Sequence, residues 1–337
     1  MTNKLMKSAM AALMALSMTA CSSGTADTAD TKKATELELV TSLDQAILAL
    51  NSNKCDAVAL DGTTAQNYVD QSDGKFAMSG INFDLTMYGD YEGTVAAAKK
   101  GEASLIEAVN KIIETATTTP SGNVPDGYKD SYYTWWTAIA KIQSATEDED
   151  AIAIVGDYDV TPKTAIDDTY AYLLDTADLK KPELDLSSAD GVLKSVLDKG
   201  VLVIATSPDY PANEWIDDNG TVWGCEMMLA KYIADCLGVS LKIETMDFSA
   251  VLTAVDTGKV DLGISGFGWK ADRADAFELS VGYTGDDDVS FHTLIVPADK
   301  ADQYKTLEDF AGKHIIAQAG SLQQMYVEDQ ILVFDGE

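Results

Sequence analysis

From Gly191 to the C-terminus the apolar positions switch between two spacings. VLKSVLDKG reads as a helix end and VLVIATS as a continuous apolar run, expected as a buried strand; MMLAKYIADCLG has the three-to-four-residue period of an amphipathic helix stopped at Gly238. VSLKIETMD predicts the next strand, FSAVLTAVDTG the next helix and VDLGISG another buried strand. Tyr283 to Val296 reads as extended, with SFHTLIV a strand. KTLEDFAG then predicts a short helix, KHIIAQAG a strand closed by Gly320, and SLQQMYVEDQ a helix beginning at Ser321. Such alternation predicts a mostly parallel sheet with helices on its faces, and ligands in that architecture gather at the carboxyl ends of strands. SPDYP and SGFGW fall at two such ends. A serine opening a helix directly after a strand and a glycine offers free N–H groups suited to a carboxylate.

The earlier half is also α/β, in a different order. LELVTS and CDAVALD predict strands, each followed by a helix (LDQAILALNSN and TTAQNYVDQ). An extended MSGINFDLTMYG, a long helix EASLIEAVNKIIETA and an aromatic run YKDSYYTWWTAIAKIQ come next. Trp135 and Trp136 in that run read as helix packing. Residues 144–190 are rich in Asp and Glu without calcium-loop spacing, which predicts a solvated linker.

With 337 residues, 46% apolar and 23% charged, the chain can bury a large core divided into two lobes. A net charge of −31 with scattered lysines leaves no stripe that could displace counterions from a phosphate backbone, so nucleic acid is excluded as a partner. An anionic ligand then needs a local cationic spot. The sequence contains a single arginine, Arg273, within DLGISGFGWKADRADAF. Guanidinium holds a carboxylate with two parallel hydrogen bonds, a geometry lysine lacks. His292 and His314 are the only histidines, and no cofactor or metal site is expected.

The N-terminus has two lysines, then a weakly polar run from Ser8 to Ala20, then Cys21 and Ser-Ser-Gly. That run rises about 20 Å as a helix against a hydrocarbon core of roughly 30 Å, so an export signal is expected rather than a membrane span. Thr19 and Ala20 before Cys21 resemble the cleavage box of bacterial lipoproteins, with Met18 where those usually have Leu; the resemblance implies a lipid on Cys21. Cys225 and Cys236 lie about 16 Å apart on one predicted helix, too far for a disulfide, and together with Cys55 they are expected as free thiols.

VIATSPDYPANEW, ETMDFSAVLTAVDTGKVDLGISGFGWKADRADAFELSVGY, KTLEDFAGKHIIAQAGSLQQ, ILALNSNKCDAVALD and KKGEASLIEAVNKII resemble the extracellular amino-acid-binding proteins of ABC importers, the family 3 solute-binding proteins. The resemblance implies a two-lobed type II periplasmic-binding-protein-like α/β fold of mostly parallel sheets flanked by helices, with its segments circularly permuted. The expected division is a signal peptide over 1–21, a tether over 22–35, the later part of lobe 2 over 36–80 and the closing segment of lobe 1 over 81–143. After the acidic linker at 144–190 come the main part of lobe 1 over 191–297 and the early part of lobe 2 over 298–337. ILVFDGE and LELVTS compete for one strand slot in this scheme, so remnants of two tandem binding proteins, acting as a ligand sensor without transport, are the alternative.

The resemblance also implies a site. Arg273 would take the carboxylate of a free amino acid and Asp61, ending CDAVALD, its ammonium. Ser265, Gly266 and Gly268 would line the strand end, although Gly268 stands where the family usually carries a hydroxyl. Ser321 and Leu322 would donate from the other lobe, with Tyr210 and Phe248 against the carbon skeleton. The implied partners are an amino acid, an ABC permease and, through Cys21, the extracytoplasmic face of a membrane. A non-enzymatic role is expected; the enzyme alternative, a cyclohexadienyl-dehydratase-like lyase, would need Asp61 or Glu214 as acid or base.

Overall fold

The computed structural model describes residues 33–88, 93–118, 181–211, 213–216, 220, 222–283 and 291–336. The expected signal peptide with Cys21, most of the tether, Trp135 and Trp136, and all but 181–190 of the acidic segment lie outside the described residues. The earlier half supplies β1 (Glu36–Val40), α1 (Leu43–Asn51), β2 (Ala57–Asp61), α2 (Gly62–Gln71), β3 (Phe76–Asn82), β4 (Ala97–Lys99) and α3 (Ala103–Thr118). The later half begins with α4 (Gly191–Lys199), β5 (Val201–Thr206), β6 (Asp209–Tyr210), β7 (Glu214–Ile216), β8 (Val222–Trp223), α5 (Cys225–Leu237) and β9 (Ser240–Thr245). It continues with α6 (Phe248–Asp256), β10 (Leu262–Gly263), α7 (Ala271–Ala276), β11 (Phe277–Leu279), β12 (His292–Pro297), β13 (His314–Gln318) and α8 (Leu322–Gln330).

Two five-stranded sheets result, and each draws strands from both halves of the chain. The first has the order β11-β4-β10-β5-β9 and the second β1-β13-β2-β12-β3. In the first sheet β9, β5 and β10 run parallel, while β4 inserts antiparallel between β10 and β11. In the second sheet β1, β13 and β2 run parallel, and β12 is antiparallel to both β2 and β3. A β1–β13 register of Glu36 on His314 through Val40 on Gln318 joins residues from opposite ends of the sequence.

The apolar runs explain the layers. β5 alternates little because helices cover both sheet faces, and Leu202, Ile204 and Ala205 are fully buried. The α5 helix, expected to be amphipathic, is buried nearly all round: α3 from the earlier half packs against it, and Met227, Met228, Ile233 and Ala234 join the first core. It ends where expected, at Gly238 with φ +72°. Leu184, Leu186 and Ala189, in the segment expected to be a solvated linker, also pack on this core. The second core gathers around a stacked pair, Tyr304 and Phe310, with ring centroids 4.1 Å apart.

Three details differ from the sequence reading. The divisions expected at 80/81 and 297/298 move, because β12 belongs to the second sheet and Phe83 is buried in the second core. An antiparallel strand looks the same in sequence whichever sheet it joins. The apolar ILVFDGE is not a strand: β1 fills the place beside β13, Ile331 is buried in the second core, and Leu332–Gly336 forms a 3-10 turn. Finally, β6, β7 and β8 form a small antiparallel meander where the sequence reading assigns no element. At the base of the second sheet Thr35 N–H and Oγ1–H donate to the two oxygens of Asp335 at 2.9 and 2.7 Å, so the two ends of the described fold meet.

Candidate functional site

Arg273 sits on α7, a short helix that follows the strand-end segment 265–270, and is only 3% exposed. Nη1 donates to the Gly268 carbonyl and Nη2 to the Gly320 carbonyl at 3.2 Å, the latter on the second sheet's side. Cζ lies 5.1 Å from the centroid of the Phe267 ring, an approach favoured by the ring quadrupole. Phe267 in turn packs against Phe248, with centroids 5.0 Å apart. The guanidinium is therefore held by one wall and reaches the other.

The Ser265 and Gly266 groups expected to face a ligand point instead into the protein. The Ser265 hydroxyl donates to Glu214 Oε1 at 3.3 Å and accepts from the Ser207 N–H at 2.9 Å. Gly266 N–H donates to Glu226 Oε2 at 2.8 Å, and Tyr283 O–H donates to Glu226 Oε1 at 2.8 Å. Gly266 is required here: its φ is +57°, and a Cβ would lie 2.8 Å from the Tyr210 ring. Burial, then the charge of Glu226, pushes the Glu214 carboxyl well above its ordinary range, and burial raises Glu226 as well.

On the opposite wall, Ser321 caps α8. Its Oγ accepts from Gln324 N–H at 3.2 Å and donates to the Gln318 carbonyl at 2.7 Å. Leu322 opens the helix and is buried in the second core, and the N–H groups of that first turn have no acceptor within the helix. Asp61 ends β2, the parallel neighbour of β13, and caps α2 by accepting from Thr64 N–H at 3.0 Å. Asp61 stands in register with His292, whose imidazole is kept neutral by burial while Asp61 opposes that shift. Gln323 Nε2 lies 2.9 Å from His292 Nδ1.

Arg273, Gly268 and Gly320 are thus in direct contact, Tyr210 lies against Gly266, and Phe248 reaches the group through Phe267. Asp61 is tied to its own helix and stands in register with His292. A further residue links the walls: Asp209 Oδ2 accepts from Leu43 N–H at 2.9 Å and from Gln318 Nε2 at 2.8 Å, while Oδ1 accepts from the Ser207 hydroxyl at 2.9 Å. Burial raises the Asp209 carboxyl above its ordinary range. The sequence reading missed this role, because an aspartate before Tyr-Pro reads as turn chemistry. It also missed Glu226, which the helical pattern assigns to a solvated first turn. No group of residues suited to a metal ion occurs among the described residues, Cys55, Cys225 and Cys236 form no disulfide among the described residues, and no described helix is long and apolar enough to cross a membrane.

Residues 202–302, which carry the Ser265 turn and Arg273, match the profile of the bacterial extracellular solute-binding proteins, family 3. This segment carries the family's profile. The fold that holds it is mixed α/β, with sheets flanked by helices. Among curated relatives, the probable ABC transporter extracellular-binding protein YckB of Bacillus subtilis is 32% identical over 147 residues, 43% of this chain and 49% of the relative. The arginine-binding extracellular protein ArtP of the same organism is 32% identical over 127 residues, 37% of this chain and 47% of the relative. The chain therefore spans about half the length of these curated relatives. Among solved structures, the arginine-bound truncated ArgBP from T. maritima shares 29% identity over 42% of this chain and 65% of that one, with a TM-score of 0.35.

Proposed function

We propose that the protein binds a free amino acid between the two sheets and presents it to an ABC permease. The observation that carries this reading is the lone guanidinium of Arg273, buried at the meeting point of two sets of strand ends and spanning from Gly268 to Gly320. A ligand carboxylate competes with the Gly320 carbonyl for Nη2 and offers a better partner, because both members of the new pair are charged. Leu322 N–H and the first turn of α8 add donors from the second wall. Asp61 would receive the ligand ammonium with the oxygen not spent on Thr64, and Tyr210 and Phe248 would bound the carbon skeleton. With one pole of the ligand on each wall, the full contact set exists only when the walls are together, and that closed form is what a permease can distinguish. Relatives named as arginine-binding proteins support an amino acid as the ligand class.

The same reading takes the chain as a circular permutant carrying a lipid on Cys21 at the extracytoplasmic face of the membrane. Supporting the permutation, β1 follows α8 in space as though the chain ran on from Gln330 to Glu36, and the Thr35–Asp335 contact lies at that joint. The test is calorimetry and thermal shift with each of the twenty amino acids on protein beginning after Cys21. A ligand at a hundredfold excess over its dissociation constant stabilises the native state by about 2.7 kcal/mol. A flat response to all twenty rejects the proposal.

A further inference from the structure

The four carboxyl oxygens of Glu214 and Glu226 can be accounted for one by one. Glu226 Oε1 accepts from Tyr283 O–H and Oε2 from Gly266 N–H, and Glu214 Oε1 accepts from the Ser265 hydroxyl. Glu214 Oε2 is fully buried and receives no hydrogen bond from any donor. The two carboxyls are neighbours, one bonded to Ser265 and the other to the adjacent Gly266, and the charge of Glu226 acts on Glu214. Both residues are sealed from solvent, at 1% and 0% exposure, and no ion pair among the described residues reaches either one. The titratable groups that act on the pair are Asp209 from β6, which adds negative charge, and Tyr283, a neutral donor, with Cys225 beside Glu226 acting on that tyrosine. Two ionised carboxylates in contact, without a cation and with an orphaned oxygen, are not a stable arrangement. A single proton on Glu214 Oε2 would remove both faults, turning the orphaned acceptor into a donor for the neighbouring carboxylate.

The backbone is built to force this approach. Gly224, with φ +134°, lies so close to β7 that a Cβ would meet the Asn213 carbonyl at 1.8 Å, and Glu226 N–H donates to that same carbonyl at 3.1 Å. Gly224 therefore brings the first turn of α5 against β7, one glutamate on each. What the pair holds is the Ser265–Gly266 turn, by one bond from each member, and that turn leads through Phe267 and Gly268 to the carbonyl that grips Arg273.

We propose that Glu214 and Glu226 share one proton and act together as a positioning pair, locking the Ser265–Gly266 turn behind the candidate ligand site and releasing it when that proton is lost. The ligand-side consequence rests on the function proposed above; the proton and the lock do not. The sign follows from linkage. A carboxyl whose folded-state affinity for a proton exceeds the unfolded one gives stability that is complete below the ordinary glutamate value of 4.5 and is lost as pH rises toward the folded value. One such proton changes the folding equilibrium by up to about tenfold per pH unit in that window.

The experiment is thermal and urea unfolding of the ligand-free protein as a function of pH, for wild type and Glu214→Gln. Glutamine copies the protonated carboxyl, donating to Glu226 and accepting from Ser265. The variant should fold and lose the part of the alkaline decline that one proton contributes, so its stability relative to wild type should rise with pH. Parallel pH profiles for the two proteins would overturn the proposal. An independent reading that needs no variant is the infrared C=O stretch of a buried protonated carboxyl: its presence at neutral pH in wild type is expected, and its absence there would refute the shared proton even if Glu214→Gln failed to fold. Because no ligand enters either measurement, a negative result here is distinct from a failure of the amino-acid screen.

Discussion

The two walls of the candidate site are built by different means. On the first sheet, side chains buried behind the strand ends do the holding: Glu214, Glu226 and Tyr283 fix a turn, and that turn fixes Arg273. On the second sheet, backbone groups at strand ends and helix starts do it, with Ser321 capping α8 and Asp61 capping α2. A wall made of capped helix ends offers donors of one polarity and is tolerant of side-chain change. A wall made of a buried network is specific and vulnerable, because removing one member strands its partners. The contrast predicts that selectivity and pH sensitivity reside on the first wall, and general affinity for an anionic group on the second.

Substitutions can break or sharpen this contrast. The largest expected effect is on the packing of the second wall's support: Phe310→Ala removes a fully buried ring stacked on Tyr304 and should cost about 3–5 kcal/mol by urea denaturation. If the two sheets are separately stable, that variant will unfold in two steps, with the first-sheet unit melting at its normal urea concentration. Asp209→Ala comes next. It removes a carboxylate that accepts from both Leu43 N–H and Gln318 Nε2, and a loss of about 1.5–3 kcal/mol is expected, accompanied by separation of the walls visible in small-angle scattering. An unchanged radius of gyration would mean that the walls are held elsewhere.

Arg273→Lys keeps the charge and loses the fork. Amino-acid affinity should fall at least tenfold, about 1.4 kcal/mol, in calorimetry, and unchanged affinity would remove Arg273 from the site. The smallest and most discriminating change is on the second wall. Asp61→Asn retains a capping oxygen for Thr64, so stability should stay within a few tenths of a kcal/mol, whereas Asp61→Ala should lose about 1 kcal/mol. If Asp61 serves a ligand ammonium, both variants bind more weakly; if it is only a cap, the asparagine variant binds normally.

The sequence made periodic features legible and pairwise ones obscure. Strand and helix spacing located α1, α3, α5 and α8, and local chemistry marked Gly238 as a helix stop and Ser321 as a cap, because these signals lie within a few residues of one another. Arg273 stood out because the chain uses that residue once. Glu226 did not, since a carboxylate in the first turn of a helix is ordinarily solvated; its burial comes with partners some 40 and 57 residues away, Gly266 and Tyr283, and with Gly224 closing the gap to β7. The strand slot contested by ILVFDGE and LELVTS was likewise undecidable locally. Both runs are apolar enough, and the pairing of β1 with β13 across nearly the whole sequence settles it.

The contact between Thr35 and Asp335 brings the first and last described segments together at one exposed point, with the break between them at the surface. A few added residues could bridge 336 and 33 there without disturbing either sheet, and the break could then be reopened elsewhere. Which piece is synthesised first would change, and with it the order in which the two cores assemble, while the finished architecture stayed the same.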